Sequence, residues 1–264
     1  MGEVRPLHGG EPALELADVR CDYPGGPALG PLSLTVATGE LLCVVGPSGC
    51  GKSTLLDLLA GHRSPDRGRV AAGGTVVRGP EPRRAVVFQE PALFPWLSVR
   101  ENVEFGLRQR GLPGAARRAH AEDWLARVRL AGAGDARVHE LSGGMRQRVA
   151  LARALALAPE VLLMDEPFAA LDAQTRDHLH AELQQLWADI GTTVVFVTHN
   201  VREAVLLGDR VVVLTPGPGR VRDVVPVHLP RPRSLEDPAV TELAARVGRL
   251  LRGEREVGRA AAAG

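Results

Sequence analysis

Residues 46–53 read GPSGCGKS, which fits the pattern G-x-x-x-x-G-K-[ST]. The flanks fit as well. Leu41 to Val45 is an apolar run of strand length that ends at Gly46, and a helical run extends from about Gly51 to Ala60. Strand, glycine-rich turn and helix in that order form a phosphate-binding loop. Glycines let the backbone N–H groups turn inward around phosphate oxygens, and the helix N-terminus adds positive potential. Lys52 reaches toward β- and γ-phosphates, and the Ser53 hydroxyl completes a Mg²⁺ site that keeps several waters.

Composition sharpens this motif. Of 32 basic residues, Lys52 is the only lysine; the rest are arginine. An ammonium is a compact point charge and a guanidinium a wide planar fork, so the two are not exchangeable in a tight loop. Ras-type GTPases need a second lysine in a base-reading motif, and protein kinases need one in a V-A-I-K strand. Both classes are excluded. The net charge of +1 argues against a nucleic-acid partner. No apolar run reaches the roughly 18 residues of a membrane span, and Met1 to Pro12 lacks the apolar stretch of a secretory signal. Cys21, Cys43 and Cys50 show no metal-type spacing, which predicts reduced thiols. Cys50 lies inside the loop and reads first as a small tolerated residue; the alternative is a thiol whose pKa the helix N-terminus lowers, opening a route to oxidation.

Along the chain, Leu14, Leu16 and Val19 start an early strand, and Leu32, Leu34 and Val36 alternate as a second. Ser98 to Arg110 reads as a helix with Ser98 as N-cap and Glu101 at capping-box spacing. Ala121, Trp124, Leu125 and Val128 mark an amphipathic helix, and another begins near Ser142. Strand signals return at Val161 to Met164, Thr193 to Val197 and Arg210 to Leu214, with helices starting near Ala173 and Asn200. Alternating strands and helices predict a mostly parallel sheet covered on both faces. Frayed ends are expected at Met1 to Pro12 and Arg252 to Gly264. His62, His139 and His178 are expected at the surface.

Two further motifs carry chemistry. Val161 to Met164 is an apolar strand ending in Asp165 and Glu166, a Walker-B pattern. Asp165 can hold the Mg²⁺ shell, and Glu166 can orient and polarise a water. Leu141 to Met145, LSGGM, opens a helix whose N–H groups and Ser142 hydroxyl form a second anion site. Two phosphate-binding helix starts in one chain point to an ATP sandwiched between two copies.

With these motifs, the sequence resembles the nucleotide-binding subunits of ATP-binding cassette (ABC) transporters over nearly its whole length, from about Leu14 to Leu251. The resemblance implies an α/β P-loop NTPase (RecA-like) core with an N-terminal antiparallel β-region and an inserted α-helical subdomain. Residues 13–251 would be the ATPase domain, with 13–88 and 159–251 as the nucleotide-binding core. Residues 89–158 would be the helical subdomain, and 1–12 and 252–264 flexible ends. ATP and Mg²⁺ are the implied cofactors. Gly46, Pro47, Ser48, Gly49, Cys50, Gly51, Lys52, Ser53 and Thr54 would bind ATP, and Tyr23 would stack on adenine. Gln89 would touch Mg²⁺ together with Ser53 and Asp165. Ser142, Gly143 and Gly144 would hold the γ-phosphate in the partner's site, Asp172 would sit in the D-loop, and His199 would be the switch histidine. Glu166, His199 and Lys52 would be catalytic. Met145 stands where the family commonly has glutamine, and Asn200 where it has aspartate.

Four stretches are similar to the ATPases of nitrate, sulfonate, taurine and bicarbonate importers: FQEPALFPW (88–96), LDAQTR (171–176), LTPGPGR (214–220) and LPRPR (229–233). The extra C-terminal β-domain of many sugar-importer ATPases is not expected after the last of these. The implied partners are a second cassette, identical or paralogous, two transmembrane permease subunits and, indirectly, an extracytoplasmic solute-binding protein. The implied place is the cytoplasmic face of the plasma (inner) membrane. Phe94, Pro95 and Trp96 would line a groove for a short helix of the permease. An exporter or lipid-transport ATPase shares this chemistry and is the alternative; a cassette ATPase acting on DNA or ribosomes is the remoter one.

Overall fold

The computed structural model describes residues 12–253. Two sheets form the scaffold. The first is antiparallel, in the order β2 (Gly26–Ala37), β1 (Pro12–Tyr23), β4 (Arg67–Ala72) and β5 (Thr75–Val76). The second runs β10 (Val221–Pro226), β9 (Arg210–Leu214), β3 (Leu41–Val45), β8 (Thr193–Thr198), β7 (Val161–Asp165) and β6 (Arg84–Val87). All its pairings are parallel except β10 with β9.

The short apolar strands are explained by burial on both faces. Leu41, Cys43 and Val45 of β3 enter one core, while Leu42 and Val44 enter the other. The second core contains α1 (Lys52–Ala60) and the inner face of the antiparallel sheet. The first takes in α5 (Ala173–Ile190), α6 (Val201–Leu207), α7 (Pro238–Arg252) and three helices of the middle segment. Those three are α2 (Val99–Gln109), α3 (Gly114–Arg127) and α4 (Gly143–Leu155). Ser98 caps α2 through the expected capping box with Glu101. Ala121, Trp124, Leu125 and Val128 are buried against their neighbours, as the spacing predicts.

Several elements lie outside the sequence reading: β4, β5, β6, β10 and α7. The frayed ends are corrected at three positions. Pro12 pairs with Ala37 in β1, Arg252 ends α7, and Gly253 caps it with φ 86°. The rest of both ends lies outside the described residues. His62, His139 and His178 are exposed as expected, but His180 is buried.

An ion pair fastens the two sheets. Arg210 at the start of β9 donates to both oxygens of Glu40, at 2.5 and 3.0 Å, and to the Thr35 carbonyl of β2 at 2.6 Å. Glu40 also accepts from the Ala37 backbone N–H. Both side chains are 1% exposed. Removing one partner strands the other charge, so Glu40→Ala is expected to lower unfolding stability by about 3–5 kcal/mol. A urea titration checks this; an unchanged midpoint would mean the pair contributes nothing.

Candidate active site for ATP hydrolysis

The loop between β3 and α1 has the conformation that phosphate binding needs. Gly49 and Gly51 have φ of 74° and 95°. A Cβ at Gly46 would lie 2.5 Å from Cys50 Sγ, and one at Gly51 would lie 2.7 Å from the Ala28 carbonyl. Gly51 is the N-cap of α1 and supplies no side-chain acceptor. By contrast, Ser98, Ser142, Asp172, Asn200 and Asp237 each cap their helices with a side-chain oxygen. The first N–H groups of α1 are therefore left for an anion. Lys52 is buried and folds across the loop, donating to the Gly46 and Pro47 carbonyls at 2.9 and 3.2 Å.

The acidic pair stands at the end of β7. Burial pushes the Asp165 carboxyl above its usual range, while the Ser53 hydroxyl beside it pulls the other way. A hydroxyl next to a half-buried carboxylate fits Mg²⁺, which takes few protein oxygens and fills its shell with phosphate and water. Gln89 is exposed just beyond β6, whose Val87 pairs with Met164 of β7. That register sets the loop carrying Gln89 at the same sheet end as Asp165.

Glu166 has φ 42°, a left-handed conformation costly for a side chain with a Cβ. Its N–H donates to the Val197 carbonyl at 2.9 Å, which anchors the turn. Its Oε2 lies 2.7 Å from His199 Nδ1, and its Oε1 lies 3.9 Å from Lys52 Nζ. The fold thus brings together the three residues expected to be catalytic. Glu166 and His199 line a cleft of about 100 Å³ with Phe168, Arg176, Thr198 and Glu203. A larger cleft of about 910 Å³ opens elsewhere, lined by Arg84, Val161 and Thr193. These begin β6, β7 and β8, whereas ligands of open α/β sheets bind at the carboxyl ends of strands. None of the predicted site residues lines that larger cleft.

The remaining residues are placed apart. Ser142 caps α4, accepting from the Met145 N–H at 3.3 Å and keeping its own hydroxyl proton free. Gly144 packs on α5, where a Cβ would lie 2.5 Å from Thr175 Cγ2. Asp172 caps α5, and the Thr175 N–H holds its carboxyl below the usual range. Ser142, Gly143 and Gly144 do not line the cleft of Glu166 and His199. Tyr23 ends β1 and is 41% exposed, but the Arg63 guanidinium lies 4.1 Å above its ring. That guanidinium covers one face of the ring. Asn200 caps α6 by accepting from the N–H groups of Arg202 and Glu203, a task aspartate would perform equally. Cys50 corrects the redox reading: it is fully buried, and burial pushes its thiol pKa up. Sequence reasoning missed Arg63, Arg176, His180 and Glu203. Only Glu203 carried a local signal, being one helical turn beyond His199.

This fold and site define a P-loop nucleoside-triphosphate hydrolase. The ABC transporter family profile matches residues 29–169, and the chain belongs to that family. It is 50% identical over 224 residues to an ATP-binding protein of Brucella abortus, covering 85% of this chain and 86% of that one. It is 52% identical over 211 residues to the taurine import ATP-binding protein TauB of Chromobacterium violaceum, covering 79% and 81%. The solved cassette MJ0796, a dimer in a post-hydrolysis state bound to ADP and Pi, superposes with a TM-score of 0.72 at 32% identity. That match covers 82% of this chain and 99% of the other. The chain is an ABC-type ATPase that uses ATP and Mg²⁺. No helix among the described residues is long and apolar enough to cross a membrane.

Proposed function

We propose that this chain energises import of a small anion or organosulfur solute of the nitrate, sulfonate or taurine type. The likeness to TauB over about four-fifths of both chains carries the cargo class. Residues 13–88 and 159–251 serve as the nucleotide-binding core, and 89–158 as the helical lobe. Two copies meet in an isologous twofold pair, or this chain and a paralogue in the equivalent pseudo-twofold arrangement, each phosphate loop facing the other chain's Ser142. Gly46 to Thr54 of one copy hold the ATP phosphates, Tyr23 stacks on adenine, and Ser142 to Gly144 of the other copy close the site. Asp172 lies at the crossing between copies. Ser53, Asp165 and Gln89 would hold Mg²⁺, which would supply neutralising charge to the phosphates. Glu166 orients the attacking water and accepts its proton, while Lys52 and His199 stabilise charge on the γ-phosphate. The pair drives two permease subunits from the cytoplasmic face of the plasma (inner) membrane, supplied by an extracytoplasmic solute-binding protein.

Reconstitution with the permease and binding protein tests this reading. ATP hydrolysis should rise with taurine, an alkylsulfonate or nitrate in the presence of the binding protein. Turnover indifferent to all three would remove the cargo class.

The docking groove rests on an aromatic cluster. Trp96 is 70% exposed, and Phe94 lies 5.6 Å from it and 4.5 Å from Phe105 between ring centroids. Internal packing therefore does not account for Trp96. Trp96→Ala should leave the melting temperature of the isolated chain unchanged and weaken permease binding by about 2 kcal/mol or more, the scale of an aromatic hot spot. Unchanged assembly and coupling would exclude the groove.

A further inference from the structure

His180 stands on α5, two turns beyond the cap Asp172, and is 2% exposed. Its α5 neighbours Leu179 and Leu183 fill the core with apolar groups, so packing alone does not call for an imidazole here. His180 Nε2 lies 2.7 Å from Glu203 Oε1. The other oxygen of Glu203 accepts from the Thr198 hydroxyl. Thr198 immediately precedes His199, and its hydroxyl oxygen also accepts from the Asn200 N–H at 3.0 Å. Glu203 and Thr198 are buried at 5% and 2%. On its other side, the imidazole meets the edge of Phe168 at 5.5 Å, two residues after Glu166. One buried ring thus touches both segments that present the Glu166–His199 pair. Its Nδ1 faces the Asp177 carboxylate of the same helix at 3.9 Å.

We propose that His180 is a positioning residue for ATP hydrolysis, transmitting the placement of the D-loop helix α5 through Glu203 and Thr198 to the Glu166–His199 pair. The inference rests on reading that pair as the hydrolytic one. Closure of the dimer at Asp172 shifts α5, and the shift reaches His199 through one continuous set of hydrogen bonds. Communication then follows contacts within a chain rather than through the nucleotide alone.

The test compares His180→Leu, His180→Gln and Thr198→Val in the full chain, with Glu166→Gln measured alongside. In His180→Leu, kcat should fall about tenfold or more, the effect of misaligned reacting groups. KM for ATP should stay within about twofold of wild type, while the melting temperature should fall because the buried Glu203 loses a partner. His180→Gln retains an N–H for Glu203 and should recover most of the rate. Thr198→Val cuts the link beyond Glu203 and should reproduce the loss in kcat even where His180→Leu fails to fold. Wild-type kcat in His180→Leu or Thr198→Val beside an inactive Glu166→Gln would overturn this inference alone, as would a Gln variant as slow as the Leu variant. Full turnover in Glu166→Gln would overturn the reading of the site and this inference with it.

Discussion

Glu166→Gln is expected to bind ATP as the wild type does and to hydrolyse it more slowly by a factor on the order of 10³, the usual worth of a positioned general base. The substitution keeps the side-chain shape and removes the proton acceptor. Two features make this position sensitive. The carboxylate sits between His199 Nδ1 at 2.7 Å and Lys52 Nζ at 3.9 Å. It is also held in a left-handed backbone turn, tied by its own N–H to the Val197 carbonyl. Backbone strain of this kind persists only where surrounding structure imposes it. Phosphate release and equilibrium nucleotide binding measure the two halves of the prediction. Full turnover with the glutamine would remove Glu166 as the group that activates water.

Lys52→Arg should be nearly as severe although charge is conserved. We expect turnover to fall at least about a hundredfold, comparable to losing one preorganised donor to the developing charge. The ammonium occupies a slot bounded by the Gly46 and Pro47 carbonyls, and Lys52 as a whole is 7% exposed. The loop has no room to widen, because Gly46 packs on Cys50 and Gly51 on Ala28 and Leu29. A planar guanidinium needs a different geometry from a point charge. Steady-state hydrolysis at saturating ATP checks this. Near-normal activity would mean that the lone lysine among 32 basic residues reflects coding bias only.

What the sequence revealed, and what it hid, follows from the range of the interactions involved. The phosphate loop, the Ser98 capping box and the Ser142 cap are local devices, set by residues within a few positions of each other. Strands β3, β7 and β8 are legible because burial on both faces leaves continuous apolar runs. β4 is hidden because RGRVAA shows no alternation, its place being fixed by pairing with β1. α7 carries a legible local signal: Asp237 caps it, and Val240, Ala244, Val247 and Leu250 repeat at helical spacing on its buried side. The site divides in the same way. Lys52, Asp165, Glu166 and His199 carry motif signals at strand ends. Arg63 above Tyr23 and His180 against Glu203 join positions 40 and 23 apart, contacts that no local pattern encodes.

We propose that two chains enclose ATP between the Gly46–Thr54 loop of one and Ser142 to Gly144 of the other. The most direct measurement is the solution mass of Glu166→Gln with and without Mg-ATP, in the presence and absence of Ser142→Arg. We expect a single chain without nucleotide, twice that mass with Mg-ATP, and reversion to the single chain when Ser142→Arg is added. A mass that ignores ATP, or a nucleotide-dependent pair that survives Ser142→Arg, would contradict it.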